Sequence, residues 1–335
     1  MKIIDTKKEY NSLIIDIGKL LEQGRRQAFK TINSILVKSY WSIGKKIIEF
    51  EQDGKMRAEY GKKLLSYLSK DLKQAYGKGF SISNLQYMRL FYISYPDLPD
   101  ASGKLTWSHI VELLGVSDNL ARGFYEKQCI KEKWSTRELN RQINSMLFER
   151  IALSKDKNSI LKLAEKGQIL EKGHDLLKEP YILEFLGIPE NNQYSEKELE
   201  QKIIDNLQMF LLELGKGFTF VKRQFRITLD NEHYYVDLVF YHRILKCFVL
   251  IDLKIGKVKH TDIGQMNMYL NYFKAEEGSV EDNEPIGLIL SAEKNDIVVK
   301  YALGSISNQL FVSKYQLYLP KKEDLEEEVR KLLEE

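Results

Sequence analysis

The stretch Tyr234–Gln265, YYVDLVFYHRILKCFVLIDLKIGKVKHTDIGQ, limits what this chain can fold into more than any other. Two runs rich in β-branched and aromatic residues, Tyr234–Tyr241 and Cys247–Leu253, flank a short polar turn. That pattern predicts two paired strands. Side chains alternate across a strand, so Phe248, Leu250, Asp252 and Lys254 share one face. A hydrophobic strand therefore ends on an acid and a base side by side. Asp237, on the first strand, reaches the same spot if the two strands pair in the simplest register. Two carboxylates and an ammonium at one sheet edge suit a divalent cation and an activated water. The same charges also suit solvated strand ends, with Lys254 simply pairing an aspartate.

Two residues outside the strands favour the first reading. Ser195-Glu-Lys-Glu198 is a capping box, opening a helix that the sequence carries to Gly215. On a helical wheel Leu199, Ile203, Ile204, Leu207, Phe210, Leu211 and Leu214 form one stripe. Glu200 falls inside it, whereas Glu196 and Glu198 fall outside. A carboxylate on an apolar face just ahead of the strands is a candidate site residue. Gln265 lies on the helix after the Asp-x-Lys strand, aligned with Tyr269 and Tyr272 at i+4 and i+7. By itself a glutamine there reads equally well as a surface residue.

Taken together, Glu200, Asp237, Asp252-Leu253-Lys254 and Gln265 resemble the PD-(D/E)XK nuclease superfamily. The phrases LELGKGFTFVKRQFRI, YYVDLVFYHR, DLKIGKV and GQMNMYLNYF look more specifically like its YhcG-type members, and the likeness covers most of the chain. The resemblance implies a metal-dependent phosphodiesterase, an endonuclease most simply acting on DNA. In the roles it implies, Asp237, Asp252 and the Leu253 carbonyl hold Mg²⁺ or Mn²⁺. Lys254 orients the attacking water, Glu200 holds a water on the ion or a second ion, and Gln265 positions Lys254 or the phosphate. Val236 stands where the superfamily has proline. Asp252 stands where the YhcG group more often has glutamate, an arm shorter by one C–C bond, about 1.5 Å. An inactive nucleic-acid-binding or assembly subunit on a nuclease fold, and an RNA-directed nuclease, are the competing readings. Genome defence, mobile-element biology and DNA processing are the settings such families occupy. A homodimer and defence-system partner subunits are the assemblies left open.

Composition sets the frame for this reading. The 335 residues are 43% hydrophobic and 30% charged, an ordinary globular balance over a length that suits two domains. No apolar run reaches the length of a membrane span, and MKIIDTKKEY lacks a signal-peptide core. Only two cysteines occur, Cys129 and Cys247, one in each half, which fits a reducing cytoplasm rather than a disulfide framework. The five histidines are scattered, without zinc-ligand spacing. Residues 1–150 carry 26 Lys and Arg against 17 Asp and Glu, while the remainder carries 25 against 31. A basic front half beside an acid-lined site suits a polyanion held by one domain and cut by the other.

The front half reads as all α. Apolar periodicity through residues 10–50 predicts two helices broken near Gly24. A third, over about Glu59–Tyr76, sets Leu64, Leu65, Leu68 and Leu72 on one face and Lys62, Lys63, Lys70 and Lys73 on the other. Gly77-Lys78-Gly79 ends it, and Ser81 or Ser83 caps a short helix carrying Asn84, Gln86, Tyr87 and Arg89. Helix, glycine turn and polar helix outline a helix-turn-helix, whose candidate nucleic-acid contacts are Lys62, Lys63, Lys70, Lys73, Lys78, Asn84, Gln86 and Arg89. A lysine-rich helix face is also, simply, a solvated one. Trp107–Leu114 and Asn119–Lys131 read as helices, and Ser135-Thr-Arg-Glu138 caps another to about Arg150.

From Ser195 the order becomes helix, strands 218–229, 234–241 and 246–254, helix 261–275, strand 286–290, an ambiguous piece near Val298–Ala302, and strand 311–319. The expected fold class is α+β: an all-α, helix-turn-helix-like domain over 10–150, a connection over 151–180, and a mixed-sheet, restriction-endonuclease-like domain over 181–320. A charged helix closes the chain at 321–335.

Overall fold

A computed structural model describes residues 2–52, 63–97, 104–189, 193–293 and 309–334. Lys62 and the segment Val298–Ala302 lie outside the described residues. The chain gathers into two compact units, residues 1–122 with 133–139, and residues 123–132 with 140–335.

The first unit is helical. Helix α1 runs unbroken over Lys2–Gln52, where the sequence suggested a break near Gly24. One interior glycine costs a helix only about 1 kcal/mol relative to alanine, too little to end it when propagation continues on both sides. The C-terminal part of α1 packs on α2 (Leu64–Tyr76) and α3 (Ile82–Ser94), with Ile47, Leu85 and Met88 buried among Tyr40, Ile43, Leu68 and Phe80. Gly44 permits the crossing, because a Cβ there would strike the Met88 carbonyl oxygen. Of the two candidate caps of α3, Ser81 serves, its side chain accepting from the Asn84 N–H. Helix α4 (Trp107–Leu114) opens on a Thr106–His109 capping box, and α5 spans Asn119–Glu132.

The helix expected from Ser135 to Arg150 is two helices, α6 (Thr136–Asn144) and α7 (Leu147–Ala152). Met146 separates them in the left-handed region, at φ 56°. Helix α8 (Lys157–Lys166) follows. Beyond the segment 151–180, expected as a connection with a short helix or two, the expected sheet domain opens with the two-residue strand β1 (Tyr181–Ile182). It is pinned by a buried ion pair: Arg150 donates to Glu213 at 2.5 Å and to the Pro180 carbonyl at 3.0 Å, and Glu213 also accepts the Ile182 N–H at 3.0 Å.

The second unit is built on a six-stranded mixed sheet in the order β1-β6-β5-β4-β3-β2. Strands β2 (Phe218–Leu229), β3 (Glu232–His242) and β4 (Cys247–Lys257) are antiparallel neighbours. Strands β5 (Ile286–Glu293) and β6 (Leu310–Gln316) continue in parallel from β4. Helices α9 (Glu196–Asp205) and α10 (Leu207–Leu214) replace the single helix expected to reach Gly215, the chain turning at Asn206. Their apolar stripe is continuous across that turn, so periodicity could not show it. Leu199, Ile203, Phe210 and Leu214 cover one sheet face with Leu238, Phe240, Val249 and Ile251. On the other face α11 (His260–Tyr272) buries Ile263, Met266, Tyr269 and Leu270 against Val239, Leu250 and Ile289. The closing helix α12 (Lys322–Glu334) buries Leu325 and Val329.

Candidate active site

Strands β3 and β4 pair from His242↔Cys247 to Leu238↔Ile251 and then part. The next position in that register sets Asp237 opposite Asp252, so the two carboxylates stand across the mouth of the opening. Cross-strand partners point to the same face of a sheet, here the α11 side, with Val239 and Leu250 one register pair further in. Beyond the last pair the Leu253 N–H has no ladder partner on β3. The Asp237 Oδ2 takes its place, accepting that N–H at 2.9 Å. In an extended strand the N–H and C=O of one residue leave by the same edge, so the Leu253 carbonyl is directed to the same gap.

Asp252 is 4% exposed, and burial followed by the nearby Asp237 charge pushes its carboxyl up to about 7. Lys254, on the same face, reaches back to Asp252 Oδ2 at 2.7 Å. Burial is the strongest single influence and lowers the Lys254 ammonium, yet the Asp252 charge and hydrogen bond together with the Glu196 and Asp237 charges outweigh it, and the net shift is upward. Glu196, read as an outward residue, also faces Lys254 at 3.9 Å, and its other oxygen accepts the Ile255 N–H at 3.4 Å.

Glu200 is 3% exposed and joins the cluster through β2. Arg223 Nε donates to its Oε1 at 2.5 Å, and Gln224 Nε2 donates to its Oε2 at 2.7 Å. The same Gln224 nitrogen donates to Asp237 Oδ1 at 3.0 Å, so one amide bridges the helix carboxylate and the strand carboxylate. Gln224 makes this reach from a left-handed backbone, φ 47°. It lies between the pairs Arg223↔Leu238 and Phe225↔Val236, the position opposite Asp237. A left-handed residue other than glycine inside a strand is uncommon, and such strain gathers at working sites.

The structure thus brings together Asp237, Asp252, Leu253, Lys254 and Glu200, as the sequence suggested. It does not join Gln265 to them: this side chain is half-buried on α11 and, among the described residues, makes no hydrogen bond to the cluster. One turn further on, Tyr269 takes the place nearer the acids. Its hydroxyl donates to the Tyr235 carbonyl at 3.0 Å, and burial, then the Asp252 and Asp237 charges, push it up to about 12. Arg223, Gln224, Glu196 and Tyr269 went unassigned from sequence. Arg223 and Gln224 sit within the phrase KRQFRI, but only the left-handed turn reveals which neighbour each meets.

Among the described residues, no three Asp, Glu, His or Cys side chains form a ready-made cation cage. Glu200 is separated from Asp237 by the Gln224 amide. The donors around the gap still fit a hard divalent cation: two facing carboxylates, one of them buried and disfavoured as an uncompensated anion, beside a strand carbonyl. Magnesium-like ions retain several waters and need few protein oxygens.

In the first unit the turn between α2 and α3 borders a cleft of about 590 Å³, lined by Lys73, Lys78, Ser81, Ser83, Asn84 and Tyr87 among others. Lys63, Lys70, Lys73, Lys78 and Gln86 are exposed. Asn84 and Arg89 are engaged within the unit: Asn84 donates to the Gly79 carbonyl at 2.5 Å and accepts from Trp107 at 2.8 Å, and Arg89 pairs with Glu51 at 2.7 Å.

Facing acids at a sheet opening, followed by a lysine, on an α+β fold are the arrangement expected of a PD-(D/E)XK nuclease. Comparison with known proteins agrees. The model of the YhcG PDDEXK nuclease domain matches residues 174–331, and that of the DUF1016 N-terminal domain matches residues 16–150. The Escherichia coli (strain K12) protein "Putative nuclease YhcG" is 37% identical over 97% of this chain and 94% of its own length. The chain belongs to this YhcG nuclease family and is an enzyme of the PD-(D/E)XK nuclease class. Among solved structures, a repair endonuclease from Pyrococcus abyssi is 19% identical over 40% of this chain and 50% of its own, with a TM-score of 0.26. EndoMS bound to double-stranded DNA is 16% identical over 40% and 51%, with a TM-score of 0.28. Likenesses this slight establish nothing further about the chain.

Proposed function

We propose that this chain cuts DNA internally with Mg²⁺, or Mn²⁺ in its place, at the Asp237–Asp252 opening. The observation that carries the reading is Asp237, one step past the last β3–β4 pair, close enough for its charge to act on the buried Asp252, with Lys254 2.7 Å from the latter. Asp237, Asp252 and the Leu253 carbonyl would hold the ion, which supplies charge neutralisation at phosphorus and a more acidic water. Lys254 orients the attacking water and offsets phosphate charge. Glu200, held by Arg223 and Gln224, is set to accept a proton-bearing water at the edge of the site. Gln265 has no such anchor, and its part in the reading is limited to meeting the phosphate from α11.

The helical residues 10–150 hold the polyanion, through Lys63, Lys70, Lys73, Lys78 and Gln86, with Lys62 as their sequence neighbour. Residues 181–320 cut it, 151–180 join the two, and 321–335 close the chain. Asn84 braces the α2–α3 turn and Arg89 ties α3 to Glu51 of α1, so neither is read as contacting a base. No described helix is long and apolar enough to cross a membrane. The two cysteines, both buried and not joined in a disulfide, suit a cytoplasmic protein, with genome defence or DNA processing as its setting.

Incubating supercoiled plasmid and, separately, structured RNA with the purified chain and Mg²⁺ tests the reading. Plasmid nicking that disappears with chelator and with Asp252→Ala or Lys254→Ala supports it. Cleavage of RNA alone would move the substrate to RNA, and cleavage unaffected by Asp252→Ala would remove the assignment.

A further inference from the structure

The N-terminal half of α1 presents an apolar face to solvent. Tyr10, Leu13, Ile14, Ile17, Leu20, Leu21, Ile32 and Ile35 are each between 48 and 69% exposed. A Cβ added at Gly18 or Gly24 would meet nothing within 4 Å, so no described part of the chain covers this stretch. On a helical wheel these eight residues, with Gly24 and Ala28, form one face. Its rows step by four and three residues, close to the 3.5 spacing that winds helices around one another. Lys19, Glu22, Arg26 and Lys30 lie on the opposite face, with Ile15, while Asp16 and Arg25 flank the apolar one.

We infer that this face is a pairing surface for a second copy of the same chain, forming an antiparallel two-helix seam. The area suffices. Eight side chains more than about half exposed offer on the order of 800 Å² per chain, what a standard interface buries on each partner. The side-chain sizes set the direction. An antiparallel pair crossing at Gly24 sets Ile17 against Thr31 and Leu20 against Ala28, large against small, and Leu13 against Ile35 further out, with Gly24 meeting Gly24 only at the crossing, where the missing Cβ lets the two backbones approach. A parallel pair in register shares the Gly24 contact but adds Ala28 on Ala28 one turn on while crowding Leu20 on Leu20 and Ile17 on Ile17, leaving a void beside the glycines. A membrane surface is a poorer occupant. Polar faces of membrane-lying helices are rich in free Lys and Arg, whereas here two of the four cations in residues 10–31, Lys19 and Arg26, pair with Asp16 and Glu22 at 3.1 and 3.6 Å. Pairing through α1 joins two nuclease units in one particle and rests on no catalytic residue.

Light scattering and sedimentation of the full-length chain at micromolar concentration test this. The parent is expected to have twice the chain mass. Ile17→Glu/Leu21→Glu should halve it while far-ultraviolet circular dichroism stays helical, and Lys19→Gln/Arg26→Gln should leave it doubled. Chains carrying Thr31→Cys should cross-link to chains carrying Ile17→Cys, with Cys129 and Cys247 buried and out of competition. A monomeric parent overturns the inference, and floating with anionic vesicles would then identify the face as a lipid-binding one. A dimer that survives Ile17→Glu/Leu21→Glu overturns it as well, and Ile17→Cys chains that link only to themselves overturn the antiparallel direction. None of these readings depends on nuclease activity.

Discussion

Replacing Asp252 with Asn should make the metal-free protein more stable while abolishing cleavage. The Asp252 carboxyl is raised from 3.8 to about 7, first by burial and then by the Asp237 charge. A raised acid costs stability once ionised. The penalty is absent below the unfolded value near 4 and complete above about 7. Three units at about 1.4 kcal/mol each put its ceiling near 4 kcal/mol. Asparagine has no charge to desolvate, can still accept from Lys254 and can donate to Asp237. It leaves the Lys254 ammonium without its counter-ion, which takes back part of the gain. We therefore expect a net gain of about 2 kcal/mol at pH 8, or roughly 4 °C or more in Tm. The gain should shrink toward zero as the pH approaches 4. Magnesium should raise the Tm of the parent and leave that of Asp252→Asn unmoved, and plasmid cleavage should fall about 100-fold or more. The decisive measurement is thermal unfolding from pH 4 to 8 with and without Mg²⁺. A variant less stable than the parent at pH 8, or one equally stabilised by Mg²⁺, would refute the reasoning.

Glu200→Gln should keep the fold and lower cleavage. Glu200→Leu should also lower the Tm, because it strands Arg223, which now lies 2.5 Å from the carboxylate; a stable, active Glu200→Leu protein would remove Glu200 from the site. Glu213→Ala should cost about 3–5 kcal/mol in denaturant unfolding, the usual result of leaving a buried charge such as Arg150 unpaired, since both partners are fully buried. Replacing Lys63, Lys70, Lys73 and Lys78 with Gln should flatten the salt dependence of duplex binding by roughly 0.9 for each phosphate no longer neutralised. An unchanged slope in a fluorescence-anisotropy titration would place the DNA surface elsewhere.

The sequence showed those parts of the fold that are governed by local rules. Ser195 and Glu198 form their reciprocal cap with bonds of 2.7 and 3.2 Å, because the box depends only on residues three apart. Strand β2 has the span expected from its alternation, and β3 and β4 extend theirs by a few residues. What escaped are the places where a distant contact or a single backbone torsion decides. The Asn206 turn interrupts a stripe that never loses its period. Strand β1 is two residues long and exists because Gln316 and Tyr315 of β6 offer it a parallel edge. The unbroken α1 shows the reverse case, a local breaker overruled by the helix on either side.

The site divides along the same line. Parity alone placed Asp252 and Lys254 on one face, and the pairing register then had to bring Asp237 opposite Asp252. Nothing local reveals that Gln224 sits in a left-handed conformation, yet that one torsion decides how Glu200 and Asp237 are held. Three carboxylates drawn together would repel, and each has instead a resident donor: Lys254 for Asp252, Arg223 for Glu200, and the Gln224 amide shared between Glu200 and Asp237. An amide, unlike the ammonium of a lysine, can give up these two acceptors without leaving a buried charge behind. Under the proposed metal-dependent reading, Gln224 would be the member of the set that a divalent cation most easily displaces, leaving Glu200 and Asp237 free to turn toward it.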